Sequence, residues 1–363
     1  MKIKDLIRIK AELLCWGLRY NKEAQEFFRE QNPHFVGKTG NIGLHILLEN
    51  KLTALVSTTH RFDQRTPYKI KQKNKTWILL KEGKEVCKIK GIKMPNWYSK
   101  KTNNNTSMSN VFFHEGIHFL HQCYEGCGYF QIKKPCKFCA TGPVCKIPAP
   151  KDVGETAEQA YKENPKYHVC LGGGTPISMG KGAEYFLGCI TQIRKRVKEI
   201  PIWVEITPPD KNKYIQMMID AGANSFGLNL EIWDDKLRKE ICPGKFQISR
   251  GRYLEAFNFI TEKLGKNRVG TVLIAGLEPK ESTVKGAKIM SQKGVRVCIL
   301  PFKPWDGSAY SNRKPCNPED LLWIGKKVAK FMLDNKVDPK KCQGCSSCPS
   351  CTIEEDLMAL IKG

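Results

Sequence analysis

No apolar run in this chain approaches the roughly 20 residues a membrane-crossing helix needs, and no segment has the layout of a secretory leader. Both absences argue against a spanning or exported protein and lead us to expect the reducing cytoplasm, with no membrane partner. Internal repeats are missing too, which excludes solenoid architectures. Acidic side chains are few, 36 against 60 Lys and Arg, giving a formal net charge of +24. That surplus suits a phosphate-bearing partner. Its lysines are nevertheless spread along the chain, as in 71–90 and 193–198, with no interleaved aromatic platform and no RNA-binding motif. A lysine-rich background or an acidic protein partner accounts for the charge equally well.

Cysteine is abundant. Sixteen thiols in a chain without an export signal are too many for a reduced protein that binds no metal. Hydrophobic residues make up 41% of 363 positions, enough for one barrel-sized core with two smaller appendages. Residues 1–30 read as helix, and the first twenty as an amphipathic surface helix, because Lys2, Lys4, Arg8, Lys10 and Arg19 interleave with Ile3, Leu6, Ile7, Leu13 and Leu14. Short strands are expected at Gly43–Leu48, Leu52–Ser57, Thr76–Lys81 and Glu85–Ile89, separated by Asn, Lys and Gly turns. The polar stretch 100–110 (KKTNNNTSMSN) reads as a linker closing an amino-terminal region, 1–110.

From 111 to 310 strands alternate with helices. Strands are expected at Tyr167–Leu171, Ile202–Thr207, Ser225–Ile232, Val269–Ala275 and Val295–Leu300. Helices are expected at Gly182–Glu199, Asp210–Ala221, 249–264 and 281–293. Such a rhythm predicts an α/β class with a parallel, helix-wrapped sheet or barrel, whose chemistry collects where strands end. Residues 311–363 form a tail, with a helix at about 318–335, a cysteine run and a closing helix.

Two cysteine groups carry the chemistry. Gly126–Cys127 is followed by Pro135–Cys136–Lys137–Phe138–Cys139, and further on by Leu171–Gly172–Gly173–Gly174–Thr175–Pro176. Three nearby thiolates can hold three irons of a [4Fe–4S] cube and leave the fourth iron open. A zinc knuckle completed by Cys123 is the competing reading. This pattern resembles the radical S-adenosylmethionine (SAM) superfamily, whose usual spacing is C-x3-C-x2-C with an aromatic before the last cysteine. Phe138 fits; the first gap, C-x8-C, does not, and Cys123 competes with Cys127 as first ligand.

The resemblance implies a partial (βα)6 TIM-type barrel over 111–310, a small β-rich amino-terminal domain and a Cys-rich carboxy-terminal tail. It implies reductive cleavage of SAM to a 5′-deoxyadenosyl radical, with ferredoxin or flavodoxin as reductant. Gly172, Gly173, Gly174 and Thr175 would then sit by the SAM amine, and Glu205, Asn229 and Glu231 at polar strand ends. Arg252 or Arg250 would take the carboxylate, and Gly276, in Ile274–Glu278, would lie against adenine. Each has a plainer alternative: a turn glycine, a surface carboxylate or a satisfied core amide.

The second group, Cys342, Cys345, Cys348 and Cys351 at two-residue intervals, is a dense set of soft ligands. It resembles a ferredoxin run and is expected to hold a second [4Fe–4S] cluster, with zinc as the alternative. Among the other cysteines, Cys145 and Cys316 lie in expected loops and are candidate spare ligands. His114–Glu115–Gly116–Ile117–His118 spells H-E-x-x-H, but that protease signature requires a helix, and this segment reads as the first barrel strand. The substrate is expected to be a small molecule or an acylated or carrier protein, with sulfur insertion in the manner of biotin and lipoyl synthases as one reaction. A tRNA or protein substrate is the alternative, and an iron–sulfur or zinc scaffold the non-enzymatic one.

Overall fold

In the computed structural model the described residues are all but 20, 32–42, 59, 116–117 and 363. Two sheets organise them. Strands β1 (Leu44–Leu48), β2 (Leu52–Val56), β3 (Tyr68–Lys73), β4 (Thr76–Lys81) and β5 (Lys84–Gly91) form an antiparallel sheet in the order β2-β1-β5-β4-β3. Its three hairpins turn through paired left-handed residues, Glu49–Asn50, Asn74–Lys75 and Glu82–Gly83. Consecutive positive φ values match the twist of two-residue hairpins and favour the Asn and Gly found there.

The second sheet holds β6 (Phe112–Glu115), β7 (Phe119–Gln122), β8 (His168–Gly172), β9 (Ile202–Glu205), β10 (Ser225–Gly227), β11 (Val269–Ala275) and β12 (Arg296–Pro301), in sequence order. Strands β7 to β12 are parallel and curl into a partial (βα)6 barrel; β6 runs antiparallel on the β7 edge. Helices Pro150–Glu163, Ala183–Arg194, Asn212–Asp220, Arg250–Leu264 and Lys280–Gln292 fill the crossovers. Alternate strand residues split the interior. Val169, Leu171, Ile202 and Val204 join the main core, whereas Phe119, Cys170 and Trp203 form a separate cluster within the barrel lumen.

Three expectations change. The amino-terminal helix divides into Ile3–Trp16 and Lys22–Gln31, because Gly17 takes φ +71, where a side chain would overlap Asp63. Nor is it a surface helix: Leu6, Leu13, Leu14 and even Lys10 are fully buried. Lys10 is accommodated because Asp356 Oδ2 (2.6 Å) and the Pro349 carbonyl (2.7 Å) accept from its ammonium. The expected first barrel strand at H-E-x-x-H is two strands, since the chain reverses between Glu115 and Phe119. His114 packs outside against Tyr167, while Glu115 meets His121. Gly116 and Ile117 lie outside the described residues. The segment 100–110 is a folded loop: Asn104 and Thr106 donate to Asp152, and Asn103 to Glu155, on helix Pro150–Glu163.

The tail closes the amino-terminal end of the barrel. A 3-10 helix, Gly344–Ser347, lies across β8, β9 and β10, and Gly344 N donates to His168 Nδ1 (3.1 Å) at the start of β8. Glycine is required at two contacts here: a Cβ on Gly344 would overlap Trp203, and one on Gly270 would overlap Ser346 Oγ.

Candidate active site

A cavity of about 390 Å³ opens where β7 to β10 end. Cys127, Cys136 and Cys139 line it together with Phe138, Gly172, Gly173, Gly174, Thr175, Glu205, Asn229 and Glu231. The long C-x8-C gap has a local cause. Residues Gly128–Gln131 make one helical turn, Lys133 reverses the chain at φ +56, and Lys134 N donates to Tyr129 O (2.8 Å). This excursion returns Cys136 to the same cavity as Cys127.

Glycine lets the cysteine loop and the Gly run touch. A Cβ on Gly174 would overlap Gly126 O and Cys127, and one on Gly173 the Tyr124 ring. Gly128 N donates to Thr175 O (2.9 Å), tying one segment to the other. Gly126 itself takes φ +102, turning the chain sharply into Cys127. Cys123 takes no part in the cavity lining. Its thiol faces Ser109 O at 3.7 Å, and burial pushes it up to about 12.

The donor set suits a [4Fe–4S] cluster with one open iron: three thiols on one wall, a glycine cradle beside them and polar strand ends opposite. The thiols rest on protein partners. Cys136 pairs with Cys242, whose hydrogen bond holds Cys136 below the usual thiol range and leaves Cys242 well above it; Cys139 lies 3.0 Å from Thr141 Oγ1. Among the described residues, no three His, Cys, Asp or Glu side chains stand close enough to hold a single metal ion. Thiolates on a cube are spread more widely than on one ion, because the cube's own atoms separate them.

Opposite the cysteines, burial pushes the Glu205 carboxyl up. Glu231 occupies the left-handed region at φ +70, an unusual conformation for a non-glycine residue. Lys245 Nζ meets its Oε1 at 2.6 Å and reaches Asn229 O at 3.4 Å. Burial works against the Lys245 charge, but Glu231 outweighs it and holds the ammonium well above its usual range. Sequence reasoning missed Lys245, along with His121 and Trp305, which also line the cavity. A Pro243–Gly244 turn before Lys245 is the one signal; Gly244 is packed so tightly on Tyr129 and Lys134 O that a Cβ would overlap both.

Arg252 and Gly276 are placed elsewhere. The Arg252 guanidinium donates to Pro209 O (2.8 Å) and Asn212 Oδ1 (2.7 Å), outside the cavity lining. Arg250 lies over the Trp233 ring and pairs with Asp235. Gly276, at φ +92 against Cys316, lines a separate cavity of about 320 Å³ with Phe302 and Arg313. Of the two candidate spare thiols, Cys316 pairs with Cys15, and Cys145 is exposed beside Glu125.

The tail cysteines divide. Cys345 and Cys348 pack with Cys170, Phe119 and Trp203 inside the barrel, and Cys351 Sγ lies 3.8 Å from Glu115 Oε1. Cys342 turns away: its thiol faces Asp338 O (3.5 Å), with Arg296 and Cys298 as neighbours.

A partial barrel with a three-cysteine loop and a Gly run at its strand ends defines a class of cluster-dependent domain. Residues 122–296 match the Radical SAM superfamily, and that segment of the chain is a radical SAM domain, which implies a [4Fe–4S] cluster and SAM. The bacteriochlorophyllide c C-7(1)-hydroxylase of Chlorobaculum limnaeum is 30% identical over 135 residues, covering 37% of this chain and 34% of that protein. The chain thus spans about a third of that curated relative. Coproporphyrinogen III oxidase from Escherichia coli, a radical SAM enzyme, is 15% identical with a TM-score of 0.41, covering 60% of this chain and 52% of that one. A radical SAM methyltransferase from Sphaerobacter thermophilus is 13% identical with a TM-score of 0.45, covering 75% and 76%. No helix among the described residues is long and apolar enough to cross a membrane.

Proposed function

We propose that the chain is a radical SAM enzyme whose cluster is held by Cys127, Cys136 and Cys139 and which modifies a second substrate in the barrel lumen. The observation that carries this reading is the meeting of those three thiols with Gly172–Gly174 on one cavity wall. When bound, cluster and SAM supply a 5′-deoxyadenosyl radical after one electron from an external reductant such as ferredoxin or flavodoxin. The protein's own part is binding and orientation. Gly173 and Gly174 let the cysteine loop close against the strand end, while Glu205 and the Asn229 side chain accept from an amine. Lys245, already paired with Glu231, supplies a fixed cation for a carboxylate.

Sulfur insertion of the biotin or lipoyl synthase type needs a second sulfur-bearing centre near the substrate. Support for it comes from tail cysteines that share the lumen with Trp203, itself part of the cavity lining. A tRNA or other anionic macromolecule is the second reading. It rests on a groove of about 1120 Å³ lined by Arg19, Arg65, Lys69, Arg313 and Lys314, whose 311–315 wall follows shortly after Trp305 of the site. Salt-sensitive tRNA binding lost in Arg65→Glu/Arg313→Glu would favour this second reading.

Anaerobic reconstitution followed by dithionite and SAM tests the main proposal. Wild type and Cys123→Ala should release 5′-deoxyadenosine, whereas Cys127→Ala and Cys136→Ala/Cys139→Ala should release none. Stoichiometric zinc without iron in anaerobically prepared protein would overturn the reading.

A further inference from the structure

We propose that a second [4Fe–4S] cluster is held by Cys170 with Cys345, Cys348 and Cys351, whose thiols are too spread for a single ion, and that Cys342 is not one of its ligands. This rests on the reading that the tail carries a metal centre at all. Sequence spacing favours the four evenly placed tail cysteines; the fold separates the first of them from the rest. Cys345 sits in the 3-10 helix Gly344–Ser347, and Cys348 N donates to Cys345 O (3.1 Å). Side chains three apart on such a helix stand above one another, so both thiols face the same side. That side is the barrel floor, where they pack against Cys170 between Phe119 and Trp203. Cys342 ends the preceding turn, Pro339–Lys341, and its thiol points to Asp338 O beside Arg296.

The surroundings of Cys170 suit a ligand. It is buried on β8, an element whose backbone is fixed by pairing on both sides. The His121 ring stands against both the Cys170 thiol and Glu115, with His121 Nε2 2.9 Å from Glu115 Oε2. Glu115 in turn meets the Cys351 thiol. A histidine–carboxylate pair behind a set of thiols is the kind of outer shell that orients soft metal ligands. Phe119 and Trp203 supply dry walls.

The position has a consequence for chemistry. Cys170 and Gly172 point to the same face of β8, about 7 Å apart at ~3.3 Å per residue. The centre would therefore lie directly beneath the Gly run of the first site, in the same lumen, within reach of a substrate held there.

The test uses the full chain carrying Cys136→Ala/Cys139→Ala, so that only the second centre remains. After anaerobic reconstitution with iron and sulfide, iron and zinc are counted per chain and the reduced centre is recorded by electron paramagnetic resonance. The background chain should retain one centre. Adding Cys170→Ala should lower its iron more than ten-fold, as should Cys348→Ala, while Cys342→Ala should leave iron and spectrum unchanged. Cys170→Ser, which preserves volume, should keep the fold by circular dichroism yet lose the metal or shift the spectrum. Loss with Cys342→Ala and retention with Cys170→Ala would overturn the assignment alone. A background chain that binds no iron, or zinc in its place, would overturn the tail cluster itself.

Discussion

An added methyl group at Gly174 would overlap the Gly126 carbonyl oxygen and the Cys127 side chain. The contact cannot relax cheaply, because backbone stands on both sides of it. Gly174→Ala should cost about 1–3 kcal/mol through overpacking and should also displace Cys127. Gly265→Ala makes the comparison: at φ +88 and ψ 173, with nothing within 4 Å of a Cβ, it carries backbone strain alone, roughly 1–3 kcal/mol. Urea midpoints should fall in both variants, but iron per chain only in Gly174→Ala; equal iron in the two would show that the close contact does not position the cluster loop. At this scale the site was partly legible. Glu205, Asn229 and Glu231 were named through the family resemblance, which puts polar residues at these strand ends, and all three line the cavity. Lys245 could not, since one lysine among 60 basic residues carries no pattern. Cys170 was hidden for the opposite reason, as a lone thiol on an apolar strand has the look of core.

Among the elements, the 3-10 helix Arg61–Arg65 shows how a buried carboxylate fixes a junction. Asp63 Oδ2 accepts from Ser57 Oγ (2.8 Å) and His60 N (2.9 Å) and sits against Gly17, where the first helix ends. Burial pushes its carboxyl up to about 6, against the hydrogen bonds and Lys303, which lower it. A carboxyl whose folded value is raised contributes stability below its ordinary value of 3.8, and that contribution is lost as pH rises through about 6. Asp63→Asn removes the titration. Relative to wild type it should therefore gain roughly 2–3 kcal/mol between pH 4 and pH 8, from ~1.4 kcal/mol per pH unit. A wild-type-to-variant difference that is the same at both pH values, by urea unfolding of the metal-free chain, would remove Asp63 as the source. Element types were easier to read than element seams. Val269–Ala275 is the strand expected, and helix Pro318–Asp334 falls where expected. Yet β6 (FFHE) and β7 (FLHQ) are each too short to show a period, so the reversal between them left no mark in periodicity. Likewise the polar run 100–110 has the composition of a linker, because its partners Asp152 and Glu155 lie far along the chain.

At the scale of the whole molecule, the amino-terminal helix, the tail and the barrel floor lock together through charges that sequence patterning places on the surface. Lys10 pairs with Asp356, Leu55 N on β2 donates to Ser350 O, and buried Arg296 on β12 faces Glu354 at 3.4 Å. Pro349 and Ser350, the residues between Cys348 and Cys351, are thus held from the amino-terminal side. Periodicity reports which face of an element is apolar, not which distant segment brings a counter-charge, so Lys10 was legible only as solvent-facing. A buried pair is costly to break from one side, because the remaining charge is stranded away from water, at about 3–5 kcal/mol. Lys10→Met should lose stability of that order, and Lys10→Met/Asp356→Leu should regain most of it, since no lone charge remains. The same cycle reads the coupling to the tail. In the Cys136→Ala/Cys139→Ala background, Lys10→Met should speed loss of the second centre's metal to a chelator several-fold, and the double variant should restore the slower rate only in part, because Pro349 O still lacks its donor. Metal loss unchanged by Lys10→Met, despite the fall in stability, would show that the amino-terminal helix supports the fold without steadying the barrel floor.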